Sequence, residues 1–427
     1  MVSSLTVERR SLKRRGIRSI AALAVMGMAL TACGAESDDS DGTSSSPGGA
    51  AQEVLIGGLW PLSGPYAFNG EAVVAGANAA VEDINEAGGI SSLGGAKVRL
   101  EVADAGGTPQ TATAAANRLL GSEDVLAVAG SWASALTLAA SEVTERRGIP
   151  MVSESFADDV TGRDGFSHTF SYAPPSSQLG PLLVDASLNS LRDGGVEVER
   201  AAIIGDNSPG GTPLQEALVQ TLSGEGVEVA LYEQWTPPLQ DASGIAQKIA
   251  SADAQVIYLI AFSFNDVSSL IRDIRARGIT APIIQSGGQG VLPQWRDVGD
   301  SIIGMSSMIY TNPLSKSTEL ANSIAERSGE DYVWQDQIGG YAAISIIAAA
   351  LEQAGSANPE DINKALHELD LDSGPVVELL PNTTFTFDES GRVAPPTSVL
   401  AQWQEVDGAL VPCTVYPAAV AVCQAQW

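Results

Sequence analysis

The chain of 427 residues carries 51 acidic against 23 basic side chains, a formal net charge of −28. That length accommodates two or three domains with a sizeable core. So negative a surface, without a basic patch interleaved with aromatics, argues against nucleic-acid binding and is read as serving solubility.

Arg9, Arg10, Lys13, Arg14, Arg15 and Arg18 precede an apolar stretch over residues 20–30, and Leu30-Thr31-Ala32-Cys33 follows. This order reads as an export signal over residues 1–32. The tetrad resembles a bacterial lipobox, in which Cys33 is lipidated and becomes the first residue of the mature chain; the alternative is an ordinary signal peptide with a chance cysteine. Acyl chains on Cys33 would anchor the protein to the membrane without spanning it. Without the six basic groups and one acidic group of that segment, the net charge is −33. Residues 33–52 are acidic and rich in Ser and Gly, so a flexible tether is expected there. Beyond it no apolar run is long enough to span a bilayer, and the body is expected to be soluble.

From residue 54 onward, short apolar strands alternate with helices. A strand over 54–59 runs into a Pro/Gly turn, and a helix starts near Gly70 or Glu71 and stops at Gly88-Gly89. Strands follow at 97–103, 125–130 and 150–153, with helices at 109–120 and 133–147 between them. After the break at Ala173-Pro174-Pro175 a second set begins, with helices at 176–192, 212–224, 242–251 and 265–278. Its strands are read at 200–205, 227–232, 254–261 and 282–285. A strand over 305–310 is followed by helices at 316–327, 337–353 and 359–369. This alternation predicts parallel βα units and an α/β fold of two Rossmann-like lobes.

In an open parallel sheet the crevice beyond the strand ends is the default ligand site. The first such loop, residues 60–69, carries Trp60, Tyr66, Phe68 and Asn69. Gly130-Ser131-Trp132-Ala133-Ser134 ends a strand and opens a helix, where backbone N–H groups and hydroxyls suit an anion; Ser131 as a mere N-cap is the alternative. Ser153-Glu154-Ser155-Phe156-Ala157 follows the next strand. Ser208 follows the strand over 200–205, and Asp266 opens the helix over 265–278, where a cap or dipole role competes with ligand binding.

Signatures of catalysis are sparse. His168 and His367 are the two histidines and neither sits at metal-ligand spacing, so no metal and no cofactor is expected. Ser208-Pro209 misses the nucleophile elbow, and Gly287-Gly288-Gln289-Gly290 lacks the rest of a dinucleotide fingerprint. An envelope hydrolase would need a nucleophile and base that are not displayed. In an exported protein Cys413 and Cys423, flanked by Pro412 and Pro417, are expected to form one disulfide that staples the tail.

Pro61-Leu62-Ser63-Gly64-Pro65 and Asn85-Glu86-Ala87-Gly88-Gly89-Ile90 resemble the opening of type I periplasmic binding proteins of the leucine/isoleucine/valine family, and the resemblance runs over about residues 53–411. It implies a three-segment hinge, with residues 53–174 and 310–385 in lobe 1 and 175–309 and 386–427 in lobe 2. It further implies a monomer that binds a small polar ligand, an amino acid such as a branched-chain one, and delivers it to an ABC permease. In that scheme Ser131, Ser134 and Ser155 hold a carboxylate, with Trp132, Ala133 and Ser153 beside them, and Asp266 holds the ammonium. Tyr341 matches a family tyrosine but is read as core. The sequence departs from the family at Glu154 and Phe156, at Asn69 and at Ser208-Pro209-Gly210, so an amide- or urea-type ligand, or a ligand-sensing receptor domain, stands as the alternative.

Overall fold

The computed structural model describes residues 53–122, 124–311, 318–406 and 408–427, which belong to one compact unit. The expected signal segment, tether and Cys33 lie outside the described residues, as does the start of the helix expected at residue 316.

The first lobe is built by β1 (Glu53–Trp60), α1 (Ala67–Glu86), β2 (Lys97–Asp104), α2 (Pro109–Ser122), β3 (Ala127–Gly130), α3 (Ser134–Arg147), β4 (Met151–Ser153) and β5 (Thr169–Ser171). Its five strands are parallel in the order β2-β1-β3-β4-β5. The second lobe follows with α4 (Ser176–Asp193), β6 (Arg200–Asp206), α5 (Gly211–Gly224), β7 (Glu228–Trp235), α6 (Ala242–Ala252), β8 (Val256–Ile260), α7 (Phe264–Ala276), β9 (Ile283–Ser286) and β10 (Ser306–Ile309). The chain then adds α8 (Glu319–Ser328), α9 (Gln335–Ala354), α10 (Pro359–His367), β11 (Asp370–Leu371), α11 (Pro375–Leu379), β12 (Phe385–Phe387) and β13 (Val393–Ala394) against the first lobe. It ends with β14 (Val399–Val406) and β15 (Ala409–Tyr416) on the second. The second sheet runs β15-β14-β10-β9-β8-β6-β7, parallel from β10 to β7 and antiparallel at β14 and β15.

Central strands such as β1 and β8 are continuous apolar runs because helices cover both faces of the sheet. Helix α9 is buried along most of its length and packs tightly on α1. Glycines permit that approach: a Cβ on Gly76 would overlap the Gln337 carbonyl, and one on Gly340 the Val73 carbonyl. Among the described residues no single helix is long and apolar enough to cross a membrane.

The two-lobed α/β architecture and its three connecting segments agree with the sequence reading, with three differences. Helix α1 begins at Ala67, not Gly70, because Gly70 N–H already bonds Tyr66 O, so Phe68 and Asn69 stand in its first turn. The return to the second lobe comes after Ala394 and not at residue 385. Phe385, Phe387 and Val393 fill the first lobe's core, and Arg392 bridges to Ser171. The small antiparallel sheet β11-β12-β13 and the final strand β15 were not anticipated. Two-residue strands carry no periodicity, and Pro412 within β15 is tolerated because β15 is an edge strand.

Candidate ligand-binding cleft

Loops at the carboxyl ends of both sheets face one another around a cavity of about 90 Å³, room enough for several waters or a small solute. Tyr66, Trp132, Ser134, Glu154 and Phe156 form the first-lobe wall; Ser208, Gly210, Phe262 and Gly287 form the opposite one. Tyr310 and Gln335, from the second crossing and the start of α9, close the side. The lobes touch above the cavity. Asn69 Nδ2 donates to Gln289 Oε1 (3.3 Å), and Gln335 Nε2 donates to Gly287 O (2.7 Å). Gly288, at φ +76°, is a position only glycine fits, since a Cβ there would run into the Gln335 amide.

Of the residues expected in the site, Tyr66, Trp132, Ala133, Ser134, Glu154, Phe156 and Ser208 line the cavity. The others do not. Trp60 folds back over Gly58 into the first lobe's core. Asn69 donates to Asp336 Oδ2 (2.7 Å) as well as to Gln289. Ser131 Oγ is fully buried and donates to Leu59 O (2.8 Å), Ser153 Oγ to Phe170 O (3.2 Å), and Ser155 Oγ to Ser134 Oγ (2.9 Å). Asp266 is the largest correction. It accepts from Trp235 Nε1 (3.2 Å), its own N–H donates to Ser263 Oγ, and it stands behind the cleft wall. Tyr341 is buried on α9 and donates to Asp83 (2.7 Å). Cys413 and Cys423 are disulfide-bonded, with Cα atoms 5.9 Å apart.

An anion would find only part of the expected cradle. Ser134 Oγ remains, and the N-cap of α3 is Ala133, whose side chain offers no cap. The rest of the wall is mainly aromatic and small residues, with Glu154 as its one charged side chain among the described residues. Glu154, 4 % exposed, accepts from Tyr310 Oη (2.9 Å), while its Oε1 has no hydrogen-bond partner among the described residues. Burial, and then the nearby Asp336 carboxyl, hold the Glu154 carboxyl well above the usual range, against the lowering effect of Tyr310 and Tyr172. Asp336 is itself pushed up to about 7 by burial, although it accepts from Asn69 and from Trp132 Nε1 (2.9 Å). From the other lobe Asp206, also raised by burial, accepts from the Ser208 and Phe262 N–H groups. The Tyr66 hydroxyl is raised by burial first and then by Asp206 and Asp266. No Lys, Arg or His lines the cavity among the described residues.

Tyr310, Phe262, Gly287, Gln335 and Asp336 were missed by the sequence reading. Phe262 and Gly287 directly follow strands β8 and β9, and the strand-end rule applied evenly would have named them. Asp336 carries no such signal, since an acid in the first turn of a helix is commonplace.

Two parallel-sheet lobes, three crossings and a cleft at the strand ends define the class of two-lobed periplasmic binding folds. The chain belongs to the periplasmic binding protein family, whose model matches residues 53–408, and is a type I member of its Leu/Ile/Val-binding branch. It is 28% identical over 368 residues to the Leu/Ile/Val-binding protein homolog 3 of Brucella melitensis, covering 85% of this chain and 94% of that one. Among solved structures it resembles the branched-chain amino acid transporter substrate binding protein LivJ of Streptococcus pneumoniae in complex with isoleucine. The TM-score is 0.70 at 18% identity, over 85% of this chain and 100% of that one. It resembles equally a solute binding protein of an R. palustris ABC transporter in complex with benzoate, with TM-score 0.71 at 18% identity, over 87% and 99%.

Proposed function

We propose that the protein is an extracytoplasmic receptor that captures a small solute between its lobes and delivers it to an ABC importer, with no bond made or broken. The carrying observation is the cavity enclosed by strand-end loops of both lobes and bridged by Asn69–Gln289 and Gln335–Gly287 contacts. Closing lobes around a solute is a hinge motion, and the three crossing segments supply the hinge. In this reading residues 1–32 are removed, Cys33 carries the lipid anchor and residues 33–52 are the tether. Lobe 1 comprises residues 53–174 and 310–394, and lobe 2 the remainder; the protein acts as a monomer. The relatives' names favour an amino acid, but Asp266 behind the wall and Ser131 turned to Leu59 remove two of the contacts that an α-amino acid was expected to use.

The test is a thermal-shift screen against amino acids, amides, urea, amines and aromatic acids. A ligand selective for the folded state stabilises by about 4 kcal/mol at a thousandfold excess over its dissociation constant. A panel in which no solute shifts the midpoint refutes solute capture. Cys33→Ser is expected to release the protein from the membrane fraction; unchanged membrane association refutes the anchor.

A further inference from the structure

Glu154, in the lining of the cleft, has one buried carboxyl oxygen without a hydrogen-bond partner among the described residues. Glu154 Oε2 is occupied by Tyr310 and packs against Gly339, where a Cβ would overlap it, whereas Oε1 is fully buried and unpartnered among the described residues, on a side chain that lines the cavity. A buried polar atom without a partner is costly, and buried polar groups in native proteins are nearly always satisfied. The missing partner is therefore expected from the bound solute. Two further observations select its charge. Glu154 is the one charged side chain in the cavity lining among the described residues, and the carboxyl groups of Asp336, Asp206 and Asp266 lie behind that lining, held by Asn69 and Trp132, by Ser208 and Phe262, and by Trp235. The aromatic residues Tyr66, Trp132, Phe156, Phe262 and Tyr310 line the same space, and aromatic rings attract cations as well as apolar bodies.

We infer that the solute is a small organic ammonium with an apolar body and no carboxylate, its N–H donated to Glu154 Oε1. This rests on the solute-capture reading and deepens it. The groups facing Glu154 are the Tyr310 hydroxyl, the Tyr172 hydroxyl that donates to Gly339 O, and the Asp336 carboxyl. The buried Arg392 guanidinium donates to the carbonyls of the neighbouring Ser155 and Ala157. In the empty cleft these surroundings keep Glu154 protonated at pH values where an ordinary glutamate is ionised. Binding an ammonium ionises it, so one proton leaves as the solute enters, and affinity rises about tenfold per pH unit below the titration of the empty site. A carboxylate solute accepting from protonated Glu154 would show no such rise, its affinity flat below that titration and falling above it.

The experiment uses the protein purified from membranes in mild detergent and matched solutes: isoamylamine, leucine and 4-methylpentanoate on one carbon skeleton, benzylamine and benzoate on another. Thermal shift and calorimetric titration are read from pH 5 to pH 8. The expected result is binding of the amines with proton release and affinity rising with pH, and at least tenfold weaker binding in Glu154→Gln with an unimpaired ligand-free midpoint. Tyr310→Phe, which keeps the acid but removes its hydroxyl donor, is expected to move the pH profile upward. The inference is overturned if leucine binds as tightly as isoamylamine, if only the acids bind, or if Glu154→Gln binds the amines normally; each leaves solute capture standing. If neither these solutes nor the wider panel bind, solute capture falls and this inference with it.

Discussion

Replacing Asp336 by asparagine tests the electrostatics of the closed cleft. Asp336 sits in the first turn of α9, fully buried, and its carboxyl is pushed from an ordinary 3.8 up to about 7. The folded protein thus keeps a proton that the unfolded chain gives up between about pH 4 and pH 7. Stability from this group is greatest below pH 4, declines as pH rises, and levels off once the folded-state carboxyl has ionised. A shift of roughly 3 units at about 1.4 kcal/mol each amounts to about 4 kcal/mol in all, of which about 2 kcal/mol falls between pH 5 and pH 7. Glu154 adds to the decline, because its own raised titration depends partly on the Asp336 charge. The assay is urea unfolding of the ligand-free protein at pH 5, 6 and 7. Wild type is expected to lose about 2 kcal/mol more than Asp336→Asn across that range. Parallel pH profiles for the two proteins would refute the reasoning.

Three other outcomes follow from contacts at the lobe junction, in the hinge and in the C-terminal tail. Gly288→Ala forces a side chain into a left-handed backbone position and into the Gln335 amide. It is expected to cost about 1–2 kcal/mol and to hold the lobes apart, read as a larger radius of gyration by X-ray scattering with ligand present. Arg392→Leu removes the buried guanidinium that donates to the carbonyls of Ser155, Ala157 and Ala173, and is expected to destabilise by about 3 kcal/mol or more in urea. Joint Cys413→Ser and Cys423→Ser replacement is expected to cost about 3 kcal/mol through loop-closure entropy. It should expose Trp427, whose indole donates to Ser190 O, as a red shift in tryptophan emission.

Much of the fold was legible because its signals are local. Central parallel strands such as β1 and β8 read as short apolar runs, helices such as α3 and α9 stop at a left-handed glycine, Gly148 and Gly355, and the order of units points to two βα lobes. The last crossing was not legible. β12 and β13 are too short to carry a pattern, and their place depends on Phe385 and Phe387 fitting beside Phe170, a pairing between segments far apart in the chain.

The site divides in the same way. That Trp132, Ser134, Glu154 and Phe156 reach the cleft follows from their position just beyond a strand end, a property of one short segment. Which of the hydroxyls and acids are free to meet a solute does not. Ser131 and Asp266 occupy equally suitable positions, yet Ser131 is used by Leu59 and Asp266 by Trp235. Glu154 has a neighbour at Tyr310 and another at Gly339, so its environment is assembled only when both later passes of the chain return to β4. A glutamate read alone is a solvated group that would repel a bound carboxylate. Packed among two tyrosines, a glycine and a second buried acid, it becomes a carboxyl with one oxygen unpartnered among the described residues, and the inferred solute donor answers that oxygen where the family resemblance had suggested a carboxylate nearby.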